Sequence, residues 1–289
     1  MFSYAIVTPA RNEEANLPRL AAAIRAQSRP PTEWVIVDDG STDGTPELIA
    51  QLAAADPWIH ATTGARPGAG TLVQGRREGR DLLAFAAGVA ALRAPAEVVV
   101  KVDADVSFES GYFEDLLSRM EARRSLGITS GSCHELEDGA WVRQRVVPTT
   151  VWGATRAYRS ECLDAALTLP PRIGWDGLDE LRAHRDGWET TTFDDLPFLH
   201  HRPEHAREPG RWSAHAAQGR AAWYMGYRPT YLTLRAVYRA REDAASLAMV
   251  GGYAAAALAR DARFPEADVR SALRERQRLR HALRRGAPA

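Results

Sequence analysis

The stretch VVVKVDADVSF, residues 98–108, places two carboxylates, Asp103 and Asp105, directly after a run of apolar residues. Such a run predicts a strand buried in a sheet. Ionised carboxylates are rarely buried without partners, which excludes a purely apolar surrounding for the pair. An aspartate at a strand end often closes the following turn. A pair of them also supplies the oxygen ligands that Mg²⁺ or Mn²⁺ prefers.

Two earlier segments repeat the pattern of an apolar run that ends in polar residues. YAIVTPA, residues 4–10, ends in Thr-Pro, and WVIVDDGSTDGT, residues 34–45, ends in acidic residues and glycines. Segments with the apolar spacing of helices separate the three runs. This alternation predicts an α/β fold with a mostly parallel central sheet flanked by helices. The ligand crevice of such a sheet lies at the carboxyl ends of its strands, where all three polar segments are expected.

The charge balance and the cysteines exclude several classes of protein. Lys+Arg and Asp+Glu both number 37, so the total charge gives no support for a nucleic-acid binder. Cys133 and Cys162 are the only cysteines, too few for a disulfide framework, and we interpret both as structural thiols. The apolar run in the opening residues is too short to indicate a signal peptide or a membrane anchor, which predicts a cytoplasmic protein. Lys101 is the only lysine.

Three motifs in a fixed order point to a family. TPARNEE (8–14), VDDGSTDGT (37–45) and VDADVSF (102–108) together resemble the nucleotide-sugar-binding half of family 2 glycosyltransferases, which have the GT-A fold. The resemblance implies an inverting, metal-dependent enzyme that uses a nucleoside diphosphate sugar, with a UDP-sugar favoured. It also implies the sites of the donor. Thr8, Pro9, Arg11, Glu13 and Asp39 would line the nucleoside pocket, Asp103 would lie near the ribose, and Asp105 would bind Mg²⁺ or Mn²⁺.

The family pattern requires three further elements in the later chain. VWGATRAYR, residues 151–159, resembles the acceptor loop, with Gly153 allowing a substrate to approach the backbone; a simple β-turn is the alternative. GWDGLDELRAHRDG, residues 174–187, resembles the helix of the general base. Asp176 aligns with the general base of the family, and Asp179, nearly one helical turn later, is the alternative candidate for the base. A helix N-cap is the structural alternative for Asp176.

The third element is a histidine near the end of the core. His200 and His201 follow the last predicted strand, and one of them resembles the family's metal-linked histidine, although a lone histidine is more often structural. Adjacent residues of a strand point to opposite faces, so one of the two is expected to face the site.

The sequence also departs from the family pattern. The segment before the third motif carries Arg80 where the family often has Gly-Lys, and Arg80, with Arg76 and Arg77, would contact either the diphosphate or solvent. Trp175 replaces the acidic residue that usually precedes the base. This leaves a non-catalytic, nucleotide-sugar-binding scaffold as an alternative. A nucleotidyltransferase is a weaker one, because TPARNEE lacks the glycines of its usual phosphate loop.

The sequence pattern predicts helices in the last part of the chain. Residues 1–208 are predicted to form the catalytic domain, with a nucleotide-sugar-binding half (1–107) and an acceptor half (108–208), and residues 209–289 a C-terminal helical region. The apolar run 244–259 is too short and too rich in Ala and Gly for a membrane span.

Residues 260–289 hold nine arginines against four acids. This composition predicts either a helical hairpin with a solvated basic end or peripheral contact with the inner face of a membrane, and the hairpin is the preferred interpretation. The acceptor is expected to be a hydroxyl of a glycan, a lipid-linked molecule or a small molecule, as in polysaccharide or cell-envelope synthesis.

Overall fold

The computed structural model describes residues 1–64, 75, 78–144, 150–202 and 210–278. The predictions for Arg76, Arg77 and the basic residues after 278 lie outside these residues. The proposed boundary near residues 209–210 is described only from Gly210 onward.

The first half of the chain is the alternating structure that its sequence predicts. Its strands are β1 (Tyr4–Ala10), β2 (Glu33–Asp38), β3 (Ile59–Thr63) and β4 (Val98–Val102). Its helices are α1 (Leu17–Arg25), α2 (Thr45–Ala55) and α3 (Arg80–Ala90). The four strands are parallel, in the order β3-β2-β1-β4. The prediction of a parallel sheet is therefore confirmed for this half.

The second half adds antiparallel pairs to the same sheet. Its strands are β5 (Val106–Phe108), β6 (Leu126–Glu137), β7 (Ala140–Arg143), β8 (Thr155–Arg159) and β9 (Glu189–His200). Its helices are α4 (Tyr112–Ala122), α5 (Asp164–Leu167) and α6 (Trp175–Arg185). The full order is β3-β2-β1-β4-β8-β6-β9-β5, with β7 paired to β6. Among the described strands four pairings are parallel and four are antiparallel, so the sheet as a whole is mixed.

The strand that precedes the two aspartates lies near the centre of the sheet. β4 pairs with β1 on one side and with β8 on the other, and all its residues are buried. Val98, Val100 and Val102 join one apolar cluster, whereas Val99 joins the cluster on the opposite face. Because side chains alternate along a strand, Lys101 shares the face of Val99, toward α3 and α6. A central, fully packed strand gives Asp103 and Asp105 a rigid support.

Residues 210–278 form four α-helices. They are α7 (Arg211–Met225), α8 (Pro229–Arg239), α9 (Ala248–Leu258) and α10 (Ala267–Arg276). Of these, α7 and α10 contact α6. Glycines allow α7 and α9 to cross closely, since a Cβ on Gly219 would lie 2.0 Å from the carbonyl oxygen of Met249. Within the described ranges no helix combines the length and apolar character needed to cross a bilayer. Residues 244–258 form a short 3-10 helix (Ala244–Leu247) followed by α9.

Candidate active site

The first two polar segments form one connected surface at the carboxyl end of the sheet. β1 and β2 run in register to their ends, where Ala10 lies beside Asp38. The Glu13 backbone N–H then donates to Thr45 Oγ1 at 2.7 Å, and Asn12 Oδ1 accepts from the Thr42 N–H at 2.8 Å. Asn12 has a positive φ of 57°, a conformation that asparagine tolerates better than most residues. These contacts hold the two predicted donor-binding loops together.

The predicted nucleoside side of the site contains a buried ion pair. Arg80 Nε lies 3.2 Å from Asp39 Oδ2, and both side chains are buried. Burial raises the pKa of Asp39, although Arg80 and Arg11 act in the opposite direction. Arg80 is therefore buried and paired with Asp39, so solvent is not its environment, and contact with a diphosphate stays a prediction. Pro9 and Arg11 are only partly buried beside this pair.

Thr8 does not line the pocket with its side chain. It is fully buried, and Thr8 Oγ1 accepts a hydrogen bond from Trp34 Nε1 at 2.9 Å. The inward direction follows from the alternation of a strand that is packed on both faces. The structure thus gives Thr8 a supporting role at the end of β1 and corrects the pocket assignment derived from the resemblance.

Asp103 and Gly153 are joined by the single lysine of the chain. Lys101 Nζ donates to Asp103 Oδ1 and, at 3.3 Å, to the carbonyl oxygen of Gly153. The Asp103 N–H also donates to the carbonyl oxygen of Ala154 at 2.9 Å. The predicted ribose carboxylate and the predicted acceptor loop are therefore adjacent.

Asp105 lies in a buried polar cluster formed with the end of β9. His200 Nε2 is 3.4 Å from Asp105 Oδ1, and His200 Nδ1 is 3.1 Å from Glu135 Oε1. Cys133, two residues before Glu135 on the same face of β6, brings a ligand-capable atom within 4.8 Å of those of Glu135 and His200. Burial opposes a charge on His200, but hydrogen bonds to Asp105, Cys133 and Glu135 outweigh it and raise its pKa to about 11.

Arg202 supplies a positive charge to the same cluster. Its Nε donates to Asp105 Oδ2 at 3.0 Å, and its NH2 group donates to the carboxylate of Glu13. Burial raises the pKa of Glu13, and the hydrogen bonds from Arg202 and Asn16 oppose that rise. Glu13 is thus linked through Arg202 to Asp105.

The two adjacent histidines face different surroundings. His201 Nε2 lies 2.7 Å from Ser107 Oγ, and its ring meets Trp141 edge to face. Burial and the nearby charge of Arg19 lower its pKa. The geometry therefore brings His200 to Asp105 and gives His201 a packing role.

Asp176 is exposed at the start of α6 and faces the acceptor loop. A Cβ built on Gly153 would lie 4.0 Å from Asp176 Oδ2. The cap position of α6 belongs to Gly174, where no side chain caps the helix, so the N-cap alternative for Asp176 is wrong. The side chain of Asp176 is available to a molecule that approaches Gly153.

Asp179, the rival base, is enclosed in a buried cluster. Arg156 donates to both of its carboxylate oxygens, at 2.7 and 3.0 Å, and Tyr158 Oη donates to it at 2.6 Å. Asp179 and Arg156 are both fully buried. Glu180 completes the cluster and accepts the N–H of Val151 at 2.8 Å. A carboxylate without access to substrate cannot act as a base, so the geometry leaves Asp176 as the candidate.

Sequence reasoning missed Glu135, Arg156, Glu180 and Arg202. One signal was present: Glu135 follows Cys133 by two residues, so in a strand the two side chains share a face. The others depend on contacts between distant segments, which no local pattern reveals.

The residues beside Asp105 fit a divalent cation. Oxygen from Asp105 and nitrogen from His200 suit Mn²⁺ and, less well, Mg²⁺. His200 Nε2 lies 3.4 Å from Asp105 Oδ1 and would release its proton on binding the cation, because a ligating imidazole is neutral. Glu135 on the other ring nitrogen is the arrangement that orients a metal-binding histidine.

Two curated proteins resemble part of the chain. The polyprenol monophosphomannose synthase of Mycolicibacterium smegmatis is 33% identical over 129 residues, which cover 43% of each chain. The undecaprenyl-phosphate 4-deoxy-4-formamido-L-arabinose transferase of Aeromonas hydrophila is 28% identical over 185 residues, 58% of this chain and 52% of that protein. The chain therefore spans about half the length of the curated relatives it matches.

Solved structures share the fold. The mannosyltransferase PcManGT from Pyrobaculum calidifontis, in complex with GDP-Man and Mn²⁺, covers 98% of this chain and 84% of its own, with a TM-score of 0.56 and 17% identity. TarS from S. aureus, in complex with UDP, covers 75% of this chain and 63% of its own, with a TM-score of 0.52 and 15% identity. The sequence model of glycosyl transferase family 2 matches residues 5–162. With more than half of its length matched, the chain belongs to glycosyl transferase family 2, and its architecture is the GT-A fold.

Proposed function

We propose that the chain is a metal-dependent, inverting transferase that moves a sugar from a nucleoside diphosphate sugar to an acceptor. One observation carries the proposal: Lys101 contacts both Asp103, two residues before Asp105, and the carbonyl oxygen of Gly153, which Asp176 faces. Asp105 with His200 would then serve the leaving group and Asp176 would serve as the base of a direct displacement.

The donor is proposed to lie along the connected loops of residues 8–14 and 38–45. Asp39 would accept hydrogen bonds from the base, and Asp103 would accept them from the ribose hydroxyls. A UDP-sugar remains the favoured donor. Structures with the same fold are described with UDP in one case and with GDP-Man in another, so both classes belong in the test.

Asp105 and His200 would hold Mg²⁺ or Mn²⁺ beside the donor's diphosphate. When bound, the cation neutralises the charge that develops on the departing nucleoside diphosphate. The chain itself contributes the orientation of a ligand, because Glu135 fixes the ring of His200.

Asp176 is proposed to take the proton from an acceptor hydroxyl. The exposed carboxylate faces Gly153, whose missing side chain leaves room for the acceptor at the backbone. A hydroxyl is a weak nucleophile until its proton is removed, and a positioned base contributes typically 10²–10⁴-fold to the rate. Attack from the side opposite the leaving group inverts the anomeric centre.

The names of the curated relatives suggest a second class of acceptor, a polyprenyl phosphate of cell-envelope synthesis. A phosphate monoester is already anionic at neutral pH and requires no base. Lys101 neutralises Asp103, but the exposed carboxylate of Asp176 beside the acceptor loop makes that position unfavourable for a second anion. The geometry therefore favours a hydroxyl, which a lipid-linked sugar also offers.

The test begins with binding and continues to turnover. Thermal-shift assays with UDP-, GDP- and dTDP-sugars, each with and without Mn²⁺, report the donor, because a ligand of the folded state raises the apparent stability. Release of nucleoside diphosphate then reports turnover. Asp105→Asn should abolish the Mn²⁺-dependent shift, whereas Asp195→Asn, a change at a surface ion pair, should not. Donor binding without any turnover would favour the non-catalytic scaffold.

A further inference from the structure

The helix α8 has an apolar surface on the side that faces away from the protein. Its buried residues include Leu232 and Ala236, whereas Leu234, Val237 and Tyr238 are more than half exposed, at 52%, 54% and 56%. At about 100° per residue these three side chains lie on the opposite side of the helix from Leu232. Leu247, in the next segment, is also exposed. Soluble helices normally expose a polar face, so an apolar outer face marks an interaction surface.

Arginines predominate around this face. Residues 228–241 contain four arginines (Arg228, Arg235, Arg239 and Arg241) and no acidic residue, and of these Arg228 donates to the carbonyl oxygen of Arg274. The guanidinium of Arg241 lies 5.5 Å from the centre of the exposed Tyr238 ring. The acidic Glu242 and Asp243 follow, but Asp243 is bound to His215 and to the N–H of Ala245.

An anionic lipid surface is the partner that matches this combination. Leucine, valine and tyrosine enter the boundary between headgroups and acyl chains, and arginines beside them meet lipid phosphates. A protein partner of ordinary composition would need its own apolar patch and an excess of acids. We propose that the outer face of α8, defined by Leu234, Val237 and Tyr238, docks the chain onto anionic membranes.

This docking surface differs from the one considered from the sequence, which lay in residues 260–289. The docking surface depends on the proposed function in one respect, because its use would be to bring the active site to a lipid-linked acceptor. Met225, at the end of α7, packs against Gly177 in the helix that carries Asp176, so the helical region is firmly attached to the catalytic part.

Vesicle flotation of the full chain tests the proposal. The wild type should float with vesicles of phosphatidylcholine and phosphatidylglycerol and bind phosphatidylcholine alone far more weakly. The double variant Leu234→Glu, Val237→Glu should lose binding to both, whereas Leu136→Glu, at an exposed leucine of β6, should not. Arg239→Gln with Arg241→Gln should weaken anionic binding by roughly fivefold per arginine. Circular dichroism and donor-induced thermal shifts verify that each variant is folded.

Two results would overturn the proposal: a wild type that floats with neither vesicle, or a glutamate variant that floats like the wild type. If the wild type is a dimer that the glutamate change dissociates, and it binds no vesicle, the occupant is a second copy of the chain. Vesicle binding without donor binding would overturn the proposed function alone, and donor binding without vesicle binding would overturn the docking surface alone.

A separate observation concerns Lys101. Its side chain is 4% exposed, yet it meets polar groups from several segments. The ammonium contacts Asp103 and the carbonyl oxygen of Gly153, and it attracts the carboxylate of Asp81 from α3. Asp81 in turn accepts the indole N–H of Trp175, the residue before Asp176, at 3.0 Å. One buried charge thus connects donor-facing and acceptor-facing parts of the site.

We infer that Lys101 is a positioning residue that holds Asp103 and the Gly153 loop in register with one another. Lys101→Met should raise the donor KM through Asp103 and lower kcat through Gly153, by up to about 100-fold for a displacement near 1 Å. Lys101→Arg should recover part of both losses, because it restores the charge. Arg119→Met, at the surface ion pair with Asp195, is the matched control.

A double variant separates this role from simple stabilisation. If Lys101 acts on the donor through Asp103, then Lys101→Met with Asp103→Asn should bind donor no more weakly than Asp103→Asn alone. Fully additive losses in donor affinity would overturn the inference. So would normal kcat and KM per folded molecule of Lys101→Met, since a purely structural residue would change only the fraction folded.

Discussion

His200 Nε2 lies 3.4 Å from Asp105 Oδ1, while the opposite ring nitrogen lies 3.1 Å from Glu135 Oε1. The pairing of β9 with both β5 and β6 produces this arrangement, because it sets His200 beside Val106 on one side and Glu135 on the other. A histidine that is held at one nitrogen presents the other in a fixed direction. The proposed metal site is therefore supported from behind by Glu135.

Glu135→Gln should weaken Mn²⁺ binding by about 10–100-fold, the usual cost of losing such a support. Electron paramagnetic resonance of free Mn²⁺ measures the affinity without any turnover. Glu137→Gln, at an exposed residue of the same strand, is the matched control. Equal Mn²⁺ affinity in wild type and Glu135→Gln would contradict the arrangement.

Arg202→Met should tighten Mn²⁺ binding in the absence of donor. The guanidinium shares the carboxylate of Asp105 with the proposed cation, and removing a competing partly buried charge is worth roughly 1 kcal/mol, or about fivefold. Donor affinity should change in the opposite direction, because a positive charge near the proposed diphosphate is lost. Titration calorimetry measures both, and weaker Mn²⁺ binding in the variant would refute the competition.

Asp176→Asn should reduce transfer to a hydroxyl acceptor by about 10²–10⁴-fold with little change in donor affinity. The amide keeps the shape of the side chain but cannot accept the proton. Asp186→Asn, directly after the same helix, controls for effects of lost charge. Full activity of Asp176→Asn would remove Asp176 as the base and would favour a phosphate acceptor.

Glu180 predicts a pH dependence of stability. Burial raises its pKa from 4.5 to about 8 against the attraction of Arg156, which has one charge for two buried carboxylates. The folded state therefore holds a proton that the unfolded state releases. Its contribution is complete below pH 4.5 and is lost as the pH rises through about 8.

Urea unfolding of wild type and Glu180→Gln at several pH values measures this loss. The free energy of unfolding of the wild type, relative to that of Glu180→Gln, should fall by at least about 1 kcal/mol between pH 5 and pH 8. This corresponds to about one pKa unit, and above pH 8 the difference should become constant. Glu47→Gln, at an exposed residue of α2, should show no such trend. A difference that grows with pH would mean that Glu180 is ionised in the folded state.

The sequence was most informative where the structure is local. The alternating half, β1 to β4, could be predicted from apolar runs, helical spacing and strand ends. The same pattern predicted that Asp39, Asp103 and Asp105 follow the carboxyl ends of parallel strands. The antiparallel half was harder to predict, because β9 pairs with β5 and β6, which are distant from it in the sequence. The roles of residues that depend on those contacts, such as Arg202 and Glu135, were therefore missed.

Burial also separated residues that looked equivalent in the sequence. Asp176 and Asp179 are nearly one turn apart on α6, yet one is exposed and the other is enclosed by Arg156 and Tyr158. Thr8 belongs to a matching motif, but Trp34 binds its hydroxyl inside the core. No pattern within either motif distinguishes a side chain that faces the cleft from one that supports it.

Sugar transfer by the purified chain is the decisive measurement of the proposed activity. Purified chain, Mn²⁺ and the donor found by thermal shift are incubated with hydroxyl and polyprenyl phosphate acceptors. Mass spectrometry measures the glycosylated product, and the NMR coupling of its anomeric proton gives the configuration. We predict an inverted product for the wild type, no product for Asp105→Asn and a trace for Asp176→Asn. Donor binding with neither product nor nucleoside diphosphate release, across all acceptors, would contradict the account.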